Sequence, residues 1–223
     1  MNIFKKIYQL YYKPKIFFPK KTYSMFGEDL IINNFFKKKT NGIYIDIGCY
    51  HPYDGSNTHL LFKKGWNGIN IDLSELSIEL FNVTRKNDLN LRLGVGAKNG
   101  KIKFFYRKKI NMLNTTDEKH AKQYFLNGYQ TSILKQKTLN RILEQSKYKN
   151  SKIDFLNIDA ENTEYQILKK FNFKKYDPKH ICIEIHGQNK NLPVYKLLTK
   201  QKYKKIWRKD YSYIFKKLQD KLK

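Results

Sequence analysis

Five short apolar runs in this chain each end in a carboxylate or a glycine. They end at Asp46-Ile-Gly48, Asp72, Gly94-Val-Gly96, Asp159-Ala-Glu161 and Glu184-Ile-His186. A carboxylate in such a place can accept hydrogen bonds from ribose hydroxyls, take a proton from an alcohol, or hold a hard divalent cation. Any one of them reads equally well as a helix cap or a solvated turn residue. A whole row of them, at successive run ends, is hard to explain by capping.

Asp72 is the most readable member. An acidic residue that ends a strand some way after a glycine turn suits the hydroxyls of a ribose. That fits a nucleoside cofactor of either kind, NAD or S-adenosylmethionine, and the glycine turn separates the two. A pyrophosphate needs several glycines so that backbone N–H groups can approach it. Here Gly48 is followed by Cys49, Tyr50, His51 and Pro52. S-adenosylmethionine carries no phosphate, and one glycine with a nearby carboxylate suffices for it. The cofactor-binding candidates are Glu28, Asp46, Gly48, Asp72 and Gly94.

Methyl transfer to an alcohol needs alignment of the acceptor oxygen and a base for its proton. Asp159 and His186 are the preferred bases, with Glu161 third, and Glu28 could also reach from the preceding helix. His186 reads equally as a loop histidine, and Glu161 as a carboxylate stabilised at a helix N-terminus. Asp159 with Glu161 could hold a divalent cation, but too few further ligands accompany them, and no metal site is assigned. His51 can serve simply to fix the loop ahead of Pro52. Tyr124, Phe125 and Tyr129 fit a sugar-stacking surface or a helix core.

These residues need a sheet that brings run ends together. From about residue 27 helical and strand patterns alternate, the signature of βαβ units and a parallel sheet. Helices are expected at 27–38, at 56–64 with Ser56 or Asn57 as cap and Gly65 as terminator, and from the Ser74 cap to about Arg85. Strands are expected at 42–48, 68–72, 89–95, 153–159 and 180–185. Between them lie a possible hairpin at 101–106 and helices near 117–126, 139–146 and 164–171. A helix from Pro193 and a hairpin of 203–207 with 211–215 close the chain. The expected architecture is α/β, a Rossmann-like class I methyltransferase fold with a mostly parallel seven-stranded sheet and a C-terminal β-hairpin. Eight units would be needed for a barrel. Residues 23–223 form this domain, after a basic aromatic segment at 1–22.

The chain has 45 Lys+Arg against 19 Asp+Glu, a formal net charge of +26. Such a field attracts polyanions. Nearly all of it is lysine, with five arginines, and Asn and Ile are plentiful, a pattern that coding bias also produces. Arginine, whose planar fork suits phosphate and guanine, is scarce. Specific nucleic-acid binding is not expected. The two cysteines, Cys49 and Cys182, fall on separate strands and should be reduced thiols. No apolar run reaches membrane-span length, and a cytoplasmic protein is expected. Residues 1–21 hold six lysines, six aromatics and no acid. They read either as a helix packed on the domain, interrupted at Pro14 and Pro19, or as a contact with the inner face of an anionic membrane.

The sequence resembles the FkbM-type methyltransferases. The resemblance rests on Tyr-Ser-Met-Phe-Gly-Glu-Asp-Leu-Ile (23–31), Tyr-Ile-Asp-Ile-Gly-Cys-Tyr-His-Pro (44–52) and Ser-Asn-Thr (56–58). It continues in Gly-Trp-Asn-Gly-Ile-Asn-Ile-Asp (65–72), Ile-Asp-Phe-Leu-Asn-Ile-Asp-Ala-Glu (153–161) and Ile-Cys-Ile-Glu (181–184). It implies methyl transfer to oxygen, commonly a sugar hydroxyl of a glycan or natural product, so the expected partner is a small-molecule or glycan acceptor. Two departures stand out. Asn162 occupies the usual glycine position, which Asn tolerates best among other residues. Cys49-Tyr50 makes the first turn bulkier than usual. Rival readings are a nucleic-acid methyltransferase, against which the Asp-Ala-Glu-Asn run argues, and a non-enzymatic basic RNA- or membrane-binding module.

Overall fold

Buried strands alternating with capped helices produce the order expected of linked βαβ units. The computed structural model describes residues 3–11, 21–126, 128–160, 163–186 and 192–218. The elements run α1 (Ile3–Tyr11), α2 (Glu28–Phe35), β1 (Ile43–Ile47), α3 (His59–Lys63), β2 (Asn67–Asp72), α4 (Glu75–Thr84), β3 (Leu89–Arg92) and β4 (Gly94–Val95). They continue through β5 (Gly100–Tyr106), α5 (Glu118–Tyr124), β6 (Gln130–Lys137), α6 (Leu139–Glu144), β7 (Phe155–Ile158), α7 (Glu164–Lys169) and α8 (Phe173–Tyr176). The last are β8 (His180–Glu184), α9 (Pro193–Lys200), β9 (Tyr203–Lys209) and β10 (Ser212–Lys217).

Seven strands form one sheet in the order β3-β2-β1-β7-β8-β10-β9. Five are parallel, and β10 runs antiparallel to both β8 and β9, which makes the C-terminal hairpin. The central strands are covered on both faces, so they read as continuous apolar runs. Ile45, Ile69, Leu156 and Ile181 face one core, while Tyr44, Phe155, Cys182 and Ile214 face the other with Trp66 and Phe36. Cys49 and Cys182 are both buried and free.

Several expected boundaries move, each for a local reason. The strand expected over 89–95 breaks at Leu93. Residues 89–92 pair with β2, whereas Gly94 and Val95 pair with β6 in a second, three-stranded sheet, β4-β6-β5. The hairpin expected at 101–106 is one strand, whose antiparallel partner is the distant and unanticipated β6. The second helix starts at His59, because Ser56, Asn57 and Thr58 spend their side chains on Arg85, Asn157 and Asp46 instead of capping. Ser74 does cap α4, accepting from the Ser77 amide. Gly65 ends α3 with φ 88°, as a left-handed terminator should.

Helix α1 lies against α4. Lys6 Nζ stands 3.7 Å from Glu79, and the Gln9 carbonyl lies 3.3 Å from His51 Nε2. Phe4, Ile7 and Tyr8 stay exposed. Pro14, Pro19 and the rest of 12–20 lie outside the described residues. Among those described, no helix is long and apolar enough to cross a membrane.

Candidate active site

Chain direction across the sheet reverses at β1, which has β2 on one side and β7 on the other. Beyond the carboxyl ends of these strands lies a cavity of about 480 Å3. This is where open α/β sheets bind ligands. It brings together Glu28, Asp46, Gly48, Asp72, Gly94, Asp159, Glu184 and His186.

The turn after β1 is pinned to β2. Gly48, at φ 75°, and Cys49 both donate their amides to the Ile71 carbonyl, at 2.9 and 3.1 Å. Tyr50, itself at φ 50°, donates its amide to Asp72 Oδ2 at 2.9 Å, and the Ser74 amide donates to Oδ1 at 2.7 Å. Asp72 is thus oriented by two backbone amides, and each oxygen keeps accepting capacity. Burial pushes its carboxyl up to about 6 against the opposing pull of those amides.

Asp46 lies deeper. Its two oxygens accept from Thr58 Oγ1 at 2.7 Å and Asn157 Nδ2 at 2.8 Å, so it shapes the field of the cavity from behind. Burial raises its carboxyl, and Thr58, Arg85 and Asn157 oppose the rise. The guanidinium of Arg85 donates to Thr58 Oγ1 (2.8 Å), Tyr44 Oη (3.0 Å), Ser56 Oγ (3.2 Å) and the Pro52 carbonyl (2.9 Å). Its side chain is only 1% exposed. This buried arginine explains the Ser-Asn-Thr run, and sequence reading passed over it as a helix end.

The ends of β7 and β8 bring three titratable groups together. Asp159 is exposed where it lines the cavity. Burial and a hydrogen bond with Glu184 raise its carboxyl well above the usual range, helped by the charges of Glu184, Asp46 and Asp72. His186 Nε2 lies 3.3 Å from Glu184 Oε1, and its ring sits 5.5 Å from that of Tyr211. Sequence reading noted Glu184 as a strand end but gave it no role. The signal was its place two residues before His186, which only pairing across the sheet turns into a contact with Asp159. Glu161 lies outside the described residues.

Glu28 is buried at the start of α2, and its Oε2 accepts from the Phe26 amide at 2.8 Å. At Gly94 a β-carbon would come within 2.8 Å of Ile102 Cγ2, so close packing alone demands glycine there.

The described residues that line the cavity include five carboxylates, Glu28, Asp46, Asp72, Asp159 and Glu184, and neither lysine nor arginine. In a chain of net charge +26 this is an acidic island.

No curated protein matches the chain. Among solved structures, the METTL16 MTase domain (crystal form 2) is similar at a TM-score of 0.49 and 12% identity, over 87% of this chain and 67% of that one. The model of the methyltransferase FkbM domain matches residues 46–208. That span opens on Asp46 and takes in every strand end that meets at the cavity, and the chain belongs to the FkbM methyltransferase family.

Proposed function

We propose that the protein transfers the methyl group of S-adenosylmethionine to a hydroxyl oxygen of a sugar in a glycan or glycolipid precursor, on a class I methyltransferase fold. The observation that carries this reading is the charge of the cavity. S-adenosylmethionine is a cation at sulfur and at its amino group, and five carboxylates without a lysine or arginine suit it. The same lining repels the pyrophosphate of NAD and the backbone of a nucleic acid. The cofactor supplies a methyl carbon made electrophilic by the adjacent sulfonium.

The chain's own residues do the rest. Asp72 accepts from ribose hydroxyls with the capacity its two amide bonds leave. The acceptor alcohol must lose a proton. Glu184 Oε1, 3.3 Å from His186 Nε2, orients the imidazole so that Nδ1 receives the alcohol's proton, and Asp159 bonds Glu184 from its other side. His186 thereby moves ahead of Asp159 as base.

Calorimetry with S-adenosylhomocysteine and with NAD tests the cofactor; equal or tighter NAD binding overturns the reading. His186→Ala should lower turnover about 10²–10⁴-fold with cofactor affinity unchanged. Asp159→Asn, which keeps a donor toward Glu184, should lose far less. The opposite ranking would return the base to Asp159.

The exposed Phe4, Ile7 and Tyr8 of α1 support peripheral contact of the amino-terminal segment with an anionic membrane surface.

A further inference from the structure

The three-stranded sheet and α5 form a wall of the cavity that the sheet of seven does not provide. The loop between β5 and α5 is held firmly. Phe105 and Thr115 exchange backbone bonds of 2.9 and 3.0 Å, and Asn114 bridges the Arg107 amide to the Lys108 carbonyl. Ser74 Oγ, at the start of α4, donates to the Lys109 carbonyl, which ties the loop to the Asp72 turn. Asp117 caps α5 through the amides of Lys119 and His120. Ala121 and Phe125 anchor the helix inward on Phe105.

With that face buried, His120 and Tyr124 fall together one helical turn apart on the cavity side. Their rings are 4.3 Å apart at 41°. Tyr124 is 48% exposed, a large aromatic face left uncovered beside the site. His120 Nδ1 is shielded from water and has no hydrogen-bond partner among the described residues. Asn111 and Thr116 add uncharged polar groups to the same wall.

The geometry points to His120 and Tyr124 as the acceptor platform: the Tyr124 ring covers the C–H face of a neutral sugar ring, and His120, through the ring nitrogen that protein does not close off, bonds one of its hydroxyls. This rests on the methyl-transfer reading and names its substrate class. The acceptor's reacting sugar carries no phosphate or carboxylate, because among the described residues no lysine or arginine lines the cavity to meet one. Of the three aromatics in this stretch, Phe125 belongs to the core and Tyr124 to the site.

The test uses saturation-transfer NMR with methyl glycosides of common hexoses and their 6-phosphates, with and without S-adenosylhomocysteine. The wild type should bind one or more neutral glycosides and reject the phosphates. Tyr124→Ala and His120→Phe should each weaken glycoside binding about tenfold or more. Their melting temperatures and S-adenosylhomocysteine affinity should hold, and exposed Lys122→Ala should change nothing. No glycoside binding by the wild type, undiminished binding in both variants, or equal binding of the phosphates overturns the platform. Glycoside binding without S-adenosylhomocysteine binding would support the platform and overturn the cofactor assignment, so the two readings fail separately.

Discussion

A β-carbon on residue 48 would stand 1.8 Å from the carbonyl oxygen of Asp159. The turn after β1 and the end of β7 are therefore in backbone contact, and the Asp159 amide donates to the Ile47 carbonyl at 3.0 Å beside it. The end of β1 and the end of β7 are set against each other by one missing side chain.

Gly48→Ala tests this coupling. The substitution meets both the carbonyl and a φ of 75°, and should destabilise the fold by about 2–4 kcal/mol. Urea denaturation reads that loss, and calorimetry should show S-adenosylhomocysteine binding weakened with it. Wild-type values for both would mean that the two strand ends are not rigidly joined.

Asp72 should make cofactor binding depend on pH. Hydroxyl donors need the ionised carboxylate, and the folded group titrates near about 6. Affinity for S-adenosylhomocysteine should fall as pH drops below that value, approaching about tenfold per unit. In the ligand-free protein the sign is reversed. A carboxyl raised from 3.8 toward 6 binds its proton more tightly when folded, so stability declines as pH rises through that window. Asp72→Asn should flatten both slopes; a melting profile parallel to wild type between pH 4 and 6 would refute the assignment.

Arg85→Met removes a buried cation with its five hydrogen-bond partners and leaves Asp46 without its opposing charge. A loss of about 3–5 kcal/mol is expected in denaturant unfolding. Arg85→Lys should rescue little, because one ammonium cannot reproduce the planar fork. Full rescue by lysine would show that charge alone matters here.

Removing residues 1–21 should abolish co-sedimentation with anionic liposomes. Melting temperature should change little, because Lys6–Glu79 is a partly exposed ion pair worth about 1 kcal/mol or less. A large fall in melting temperature, or no liposome binding by the intact chain, would assign the segment to the fold instead.

The amino-acid sequence by itself determined the parallel sheet and the row of polar residues that ends its strands. Strands such as Ile43–Ile47 and His180–Glu184 are buried on both faces, so each reads as an apolar run stopped by a polar residue. Gln130–Lys137 was illegible, because a half-exposed strand in a small sheet needs few apolar residues and its partner lies far along the chain. Arg85 read only as the approximate end of a helix, and only the loop at 52–58 folding over it makes it a buried hub. The pairing of Asp159 with Glu184 required β7 and β8 side by side, since a hydrogen bond between them depends on distance in space. Net charge was written in the composition, but its sorting was not. Folding placed the lysines outside and gathered carboxylates at the strand ends, because proximity between residues far apart in the chain exists only once the sheet has formed.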